Sequence, residues 1–250
     1  MPSTAIESES TRGSTAPRAD VLLVHIPKTA GISLYTALAE RFGPQLSLRY
    51  PRSTEEFKQQ FLRLSDAELH RYRLISGHFF LPFWLQRDLG RRVVVALVRD
   101  PVERLLSTYR YSRSWTGHPR HAMVRNMSVA KYVDHCVAET ARHNGQCQFL
   151  CGSGDFLAAQ EMAQRQIDLL GSVEQIALLT DALSERLGVS LDLGRENRSL
   201  LEHPNRNDLD AALIDRLESC NVEDCKLWAY VNGRGLVRGH DSASASEHRA

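Results

Sequence analysis

Apolar residues in this chain fall into two kinds of run: short aliphatic blocks, and longer stretches where they return every three or four positions. The first block, 21–26 (VLLVHI), meets Pro-Lys-Thr-Ala-Gly. Ile32, Leu34, Tyr35, Leu38, Ala39 and Phe42 then come at helical spacing, with Gly43-Pro44 as the stop. This pattern predicts a strand, a tight turn and a helix. The block 92–98 (RVVVALV) is the strongest strand signal, apolar on both faces as in a central parallel strand. It runs into Arg99-Asp100-Pro101, where Asp100 suits the cap and Pro101 the first position of a helix over 102–111. Further helices are expected over 54–64 (with Thr54 as a cap), 65–72, 129–141, 176–187 and, as one or two pieces, 209–230. Weaker strands are expected at 73–76 and 167–173. Residues 112–126 are polar, aromatic and rich in Arg and His without a period, and read as a long functional loop. Strands alternating with helices predict an α/β fold, a central parallel sheet flanked by helices.

Composition narrows the picture. A chain of 250 residues can bury a sizeable core. Residues 1–19 are rich in Ser, Thr, Ala, Pro and charge, and 236–250 are similarly poor in apolar residues. A disordered leader and tail are expected around a single domain over 20–235. The net charge of +1 gives no global pull toward nucleic acid or an anionic membrane, and no apolar run reaches the roughly 18–20 residues that span a bilayer. Five cysteines without a CxxC pair argue against a metal site or disulfide framework, so reduced thiols and a cytoplasmic location are expected. From Arg87 to Arg125, nine arginines face only Asp88, Asp100 and Glu103, a local +6. Such a run is either a solvated face or a positive cleft for a multiply charged ligand.

Chemistry concentrates at the two strand-to-helix turns. The first offers the free N–H groups of a helix N-terminus, the charge of Lys28, the hydroxyls of Thr29 and Ser33, and Gly31 for close backbone approach. The second has Arg99 at the strand end and Ser107 two turns into its helix. A ligand with anionic groups at two separate points fits both turns. Walker A is absent because Lys28 precedes the glycine, and no acidic partner for Mg²⁺ stands at a strand end. Each residue also has a structural alternative: Lys28 as a surface lysine, Arg99 as ion-pair partner of Asp100 or Glu103, and Ser107 as a helix-surface serine. His78, beside Phe79 and Phe80, has one as a packed or capping residue. His25 reads as supporting rather than catalytic, and Trp84 and Trp115 as packing. His118 and His121 lie in the loop expected near an acceptor.

HIPKTAGIS followed by VRDPVERLLSTY resembles the sulfotransferases that use 3′-phosphoadenosine 5′-phosphosulfate. The similarity is to the carbohydrate branch containing the heparan sulfate 2-O-sulfotransferases and many soluble bacterial relatives. SGHF around His78, Asn144 with Gln148, LLGSVE over 169–174 and NVEDCKLWAY over 221–230 extend it to about residues 21–230. The resemblance implies a three-layer P-loop-like fold. It also implies a loop of Lys28, Thr29, Ala30, Gly31, Ile32 and Ser33 around the 5′-phosphosulfate, with Arg99 and Ser107 on the 3′-phosphate. Lys28 would stabilise the leaving phosphate oxygen, His78 would act as general base, and no metal would be required. The acceptor would be a hydroxyl of a glycan or small molecule. Two rival readings are a nucleotide-binding pseudoenzyme and a P-loop-type kinase.

Overall fold

The computed structural model describes residues 19–193 and 204–239. Its strands are β1 (Asp20–Val24), β2 (Ser47–Tyr50), β3 (Leu74–Gly77), β4 (Arg92–Val98), β5 (Leu169–Ser172) and β6 (Leu236–Arg238). They form one sheet in the order β2-β3-β1-β4-β5-β6. The first five are parallel, and β6 runs antiparallel to β5. Around them lie α1 (Gly31–Phe42), α2 (Glu55–Arg63), α3 (Asp66–Arg71), α4 (Leu81–Trp84), α5 (Pro101–Ser114), α6 (His121–Val124) and α7 (Val129–Ala138). Then come α8 (Gly145–Cys151), α9 (Phe156–Gln166), α10 (Ile176–Leu187), α11 (Ala211–Ser219) and α12 (Val222–Asn232).

The period-two alternation of β1 explains the layers. Val21 and Leu23 pack with Leu34 and Leu38 of α1 and with Leu179 and Leu183 of α10. Leu22 and Val24 face the opposite layer, with Trp84 of α4, Leu150 of α8 and Leu227 of α12. Both faces of the sheet are therefore buried, as parallel sheets require. The direction in which strands are added reverses between the parallel neighbours β1 and β4: the chain leaves β1 toward β2 and leaves β4 toward β5. The crevice at their carboxyl ends is where ligands sit in sheets of this kind.

Several local expectations hold. Thr54 accepts a hydrogen bond from the N–H of Phe57, and Asp100 from that of Glu103, so both cap their helices. Trp84 is fully buried. Others are corrected. Much of the expected loop over 112–126 is helical, because α5 runs on to Ser114 and α6 buries Val124 against Tyr109 and Tyr132. The helix expected over 129–141 stops at Ala138, where a 3₁₀ turn takes over. The edge strand β2, with mixed polar residues, shows no alternation to read. The sheet also continues past 235, since Leu236–Arg238 pairs with β5. The expected leader over 1–18 and the tail from 240 lie outside the described residues.

Candidate active site

The turn after β1 adopts an uncommon backbone. Lys28 (φ 71°) and Ala30 (φ 59°) are both left-handed, although each carries a Cβ that disfavours this by ~1–2 kcal/mol. Strain of this kind collects at functional sites. The N-cap residue of α1, Ala30, makes no side-chain cap, and the helix's first internal hydrogen bond is from the N–H of Leu34 to the Ala30 carbonyl at 3.2 Å. The N–H groups of Gly31 and Ile32 therefore have no intrahelical acceptors. The Ile32 side chain faces solvent. Lys28 Nζ stands 4.0 Å above the ring centroid of Tyr111. Burial draws the Lys28 ammonium down to about 8, and the charges of Arg99 and Arg110 act in the same direction. Among the described residues, no carboxylate pairs with Lys28.

Two sequence expectations change here. The Thr29 hydroxyl is buried and donates to the Ile26 carbonyl oxygen at 2.9 Å, so its proton serves the turn rather than a ligand. Gly31 is required for packing, because a Cβ there would overlap Cδ2 of the His25 ring. Close approach of an anion is not needed to explain this glycine.

The turn after β4 sits beside the first. Arg99 Nη1 donates to the Lys28 carbonyl oxygen at 3.4 Å, and Nη2 donates to Glu103 Oε2 at 3.3 Å. The ion pair with Glu103 is the structural alternative seen in the sequence, and it coexists with the link to Lys28. Ser107 lies farther along α5, half-buried, its hydroxyl without a hydrogen bond among the described residues. The positive run around this turn is largely dispersed into ion pairs: Arg87, Arg99, Arg104, Arg110 and Arg120 each meet a carboxylate.

His78 comes just after β3, directly beside β1. Its Nδ1 lies 2.8 Å from the carbonyl oxygen of His25. A carbonyl only accepts, so Nδ1 carries the proton and the neutral ring presents a free lone pair at Nε2. Burial lowers the His78 pKa, the bond to the His25 carbonyl opposes this, and the charges of Arg49 and Lys28 lower it again. The His25 ring is buried, with its centroid 4.3 Å from that of His78 and its Nδ1 without a partner among the described residues. It is wedged between the base candidate and the first turn of α1, the supporting position that the sequence suggests.

These features bring together a lysine-bearing turn at a helix N-terminus, a second cationic turn joined to it, and an imidazole alongside. Residues 13–168 match the model of the sulfotransferase family. The chain belongs to the sulfotransferase family. A search of curated proteins finds no match to it.

In this sulfotransferase, the second turn is held by Gln146, which sequence reasoning missed, together with residues of the later motifs named in the sequence. Gln146, fully buried on α8, accepts from the Arg99 N–H at 2.8 Å and donates to the Arg99 carbonyl oxygen at 2.9 Å. Glu174, after β5, accepts from the Asp100 N–H at 3.1 Å and from Trp228 Nε1 at 3.1 Å. Asn144, itself left-handed (φ 52°), accepts from the N–H groups of Glu223 and Asp224 and so docks α12 on α8. Gln148 donates to the His143 carbonyl at 2.9 Å, closing the loop before α8. The later motifs of the chain are thus scaffolding for Arg99.

The last turn of α5 and the stretch after it form an aromatic wall beside Lys28. Tyr111 and Trp115 are partly exposed, with centroids 5.4 Å apart, and His118 packs edge-on to both. Burial lowers the His118 pKa, as do the charges of Arg120, Lys28, Arg142 and Arg52. Trp115 therefore packs on an exposed ring cluster rather than in the core. His121 Nδ1 bonds the Ser112 carbonyl at 3.2 Å, a structural role. Among the described residues, no group of three or more His, Cys, Asp or Glu side chains is placed to hold a metal ion. No helix among them is long and apolar enough to cross a membrane.

Proposed function

We propose that this sulfotransferase moves the sulfuryl group of 3′-phosphoadenosine 5′-phosphosulfate to a hydroxyl of a carbohydrate or small-molecule acceptor. The observation that carries this reading is the bond from Arg99 to the Lys28 carbonyl, which sets two cationic turns side by side on neighbouring strands. The donor set suits such a ligand. Lys28 has no carboxylate partner among the described residues, α1 has an uncapped N-terminus, and Arg99 offers a fork matched to phosphate.

In this reading, residues 28–33 bind the 5′-phosphosulfate through Lys28 and the N–H groups opening α1. Thr29 contributes its backbone, since its hydroxyl is engaged. Arg99 and Ser107 bind the 3′-phosphate. His78 takes the acceptor proton on Nε2 as the acceptor oxygen attacks sulfur. The bond between sulfur and the 5′-phosphate oxygen breaks, and Lys28 faces the charge left on that oxygen. Electrostatic stabilisation of this kind contributes about 3–4 kcal/mol per donor. We assign the protein to the cytoplasm on its five free thiols.

Calorimetry tests the donor site. Adenosine 3′,5′-bisphosphate is expected to bind more tightly than ATP with Mg²⁺, and the reverse order would sink this reading in favour of a kinase. Radiolabelled sulfuryl donor and a panel of hydroxyl acceptors then test turnover. Binding of the bisphosphate with no transfer to any acceptor would leave a nucleotide-binding pseudoenzyme.

A further inference from the structure

The peptide of Arg99 is held more completely than its side chain. β4 ends at Val98, so the Arg99 N–H and carbonyl lie just past the sheet ladder. The side-chain amide of Gln146 satisfies both, accepting from one at 2.8 Å and donating to the other at 2.9 Å. A primary amide pairing both groups of one residue imitates a neighbouring strand. It fixes the direction in which the Cα–Cβ bond of Arg99 leaves the chain.

Gln146 is itself anchored. Its N–H and that of Cys147 donate to the carboxylate of Asp224 at 3.0 and 2.9 Å. Asp224 is fully buried on α12 and also meets Arg104 at 3.4 Å. Four residues on, Trp228 of α12 holds Glu174, which holds the next N–H, that of Asp100. One face of α12 therefore fixes two consecutive peptides through two intermediaries.

We infer that Gln146 is a positioning residue that aims Arg99 at the donor's 3′-phosphate, with α12 as its fixed support through Asp224. This rests on the proposed donor site, since Arg99 has that target only there. Both ends of the Gln146 amide and both oxygens of Asp224 are paired, and a buried polar network loses its geometry when such a member is removed. Arg99 is pre-aimed before nucleotide arrives, and affinity for the 3′-phosphate depends on that order.

Calorimetry on the full chain with adenosine 3′,5′-bisphosphate and adenosine 5′-monophosphate tests this. Gln146→Met keeps the side-chain length and removes both hydrogen bonds. It is expected to weaken bisphosphate binding at least tenfold and monophosphate binding less than twofold. Arg99→Ala is expected to do the same, and the double variant to add little, because the two residues act as one unit. Equal weakening of both nucleotides, or a full preference for the bisphosphate in Gln146→Met, overturns the proposal. A wild-type protein that binds both nucleotides equally overturns the donor-site reading, and this proposal with it. If Gln146→Met does not fold, hydrogen exchange of the wild-type protein without nucleotide decides. The Arg99 amide is expected to be protected as strongly as that of Val98, and fast exchange at Arg99 alone overturns the proposal.

Discussion

The carbonyl oxygen of His25 accepts a hydrogen bond from His78 Nδ1 at 2.8 Å, and this one contact selects the tautomer of the proposed base. A backbone carbonyl cannot donate, so Nε2 of the neutral ring keeps its lone pair. The lowered pKa of His78, caused first by burial, keeps that ring neutral near pH 7.

His78→Ala is expected to lower kcat about 10²-fold or more while affinity for adenosine 3′,5′-bisphosphate stays unchanged. Steady-state kinetics with the best acceptor found, together with calorimetry, check both halves. Unchanged turnover would remove His78 from the base role.

The pH profile of kcat/KM is set by two groups moved in the same direction. His78 must be neutral to accept a proton, and its pKa is lowered, so activity rises with pH along a limb below 6.5. Lys28 must be charged, and its pKa is about 8, so activity falls as pH passes that value. Lys28→Arg is expected to lose the alkaline limb, because guanidinium stays protonated there. A profile of Lys28→Arg that still falls near pH 8 would assign that limb to another group.

Tyr111 carries Lys28 on its ring face at 4.0 Å. The face favours the charged amine by about 0.5–2 kcal/mol. Tyr111→Leu is therefore expected to move the alkaline limb to lower pH by roughly 0.4–1.5 units, at 1.36 kcal/mol per unit. Tyr111→Phe keeps the ring and is expected to leave the limb in place. Coincident profiles for all three proteins would count against the contact.

Gly31→Ala forces a methyl group into the His25 ring. The expected loss of stability is about 1–3 kcal/mol in urea denaturation, as for other overpacked sites. Adding His25→Ala opens space for that methyl group, so the double variant is expected to lose less than the sum of the single losses. Strict additivity would show that the ring and the glycine are independent.

The two turns were legible because buried parallel strands are continuous apolar runs and because Pro, Gly and Asp mark the places where those runs end. Lys28, Arg99 and His78 stood at those strand ends. Gln146 did not, since a side-chain amide pairing a peptide 47 residues earlier leaves no local pattern. The need for Gly31 was visible, but its cause was not, because the ring above it belongs to the segment before the turn. The last turn of α5 escaped notice for a different reason. Its aromatic and arginine side chains pack on one another, Tyr111 on Trp115 and Arg113 over Tyr109, so no apolar stripe marks the helix.

The order in which these parts leave the ribosome gives the α12 cradle a temporal meaning. The loop of Lys28 and the strands β1 to β4 are made early, yet the Arg99 peptide waits for Gln146, and Gln146 waits for a carboxylate 78 positions later. A growing chain can thus bury much of its sheet while the turn proposed to hold the 3′-phosphate is still unset. Under the proposed donor site, competence for the nucleotide would arrive late and in one step, when α12 docks on α8, so a partly made chain would not tie up the activated donor.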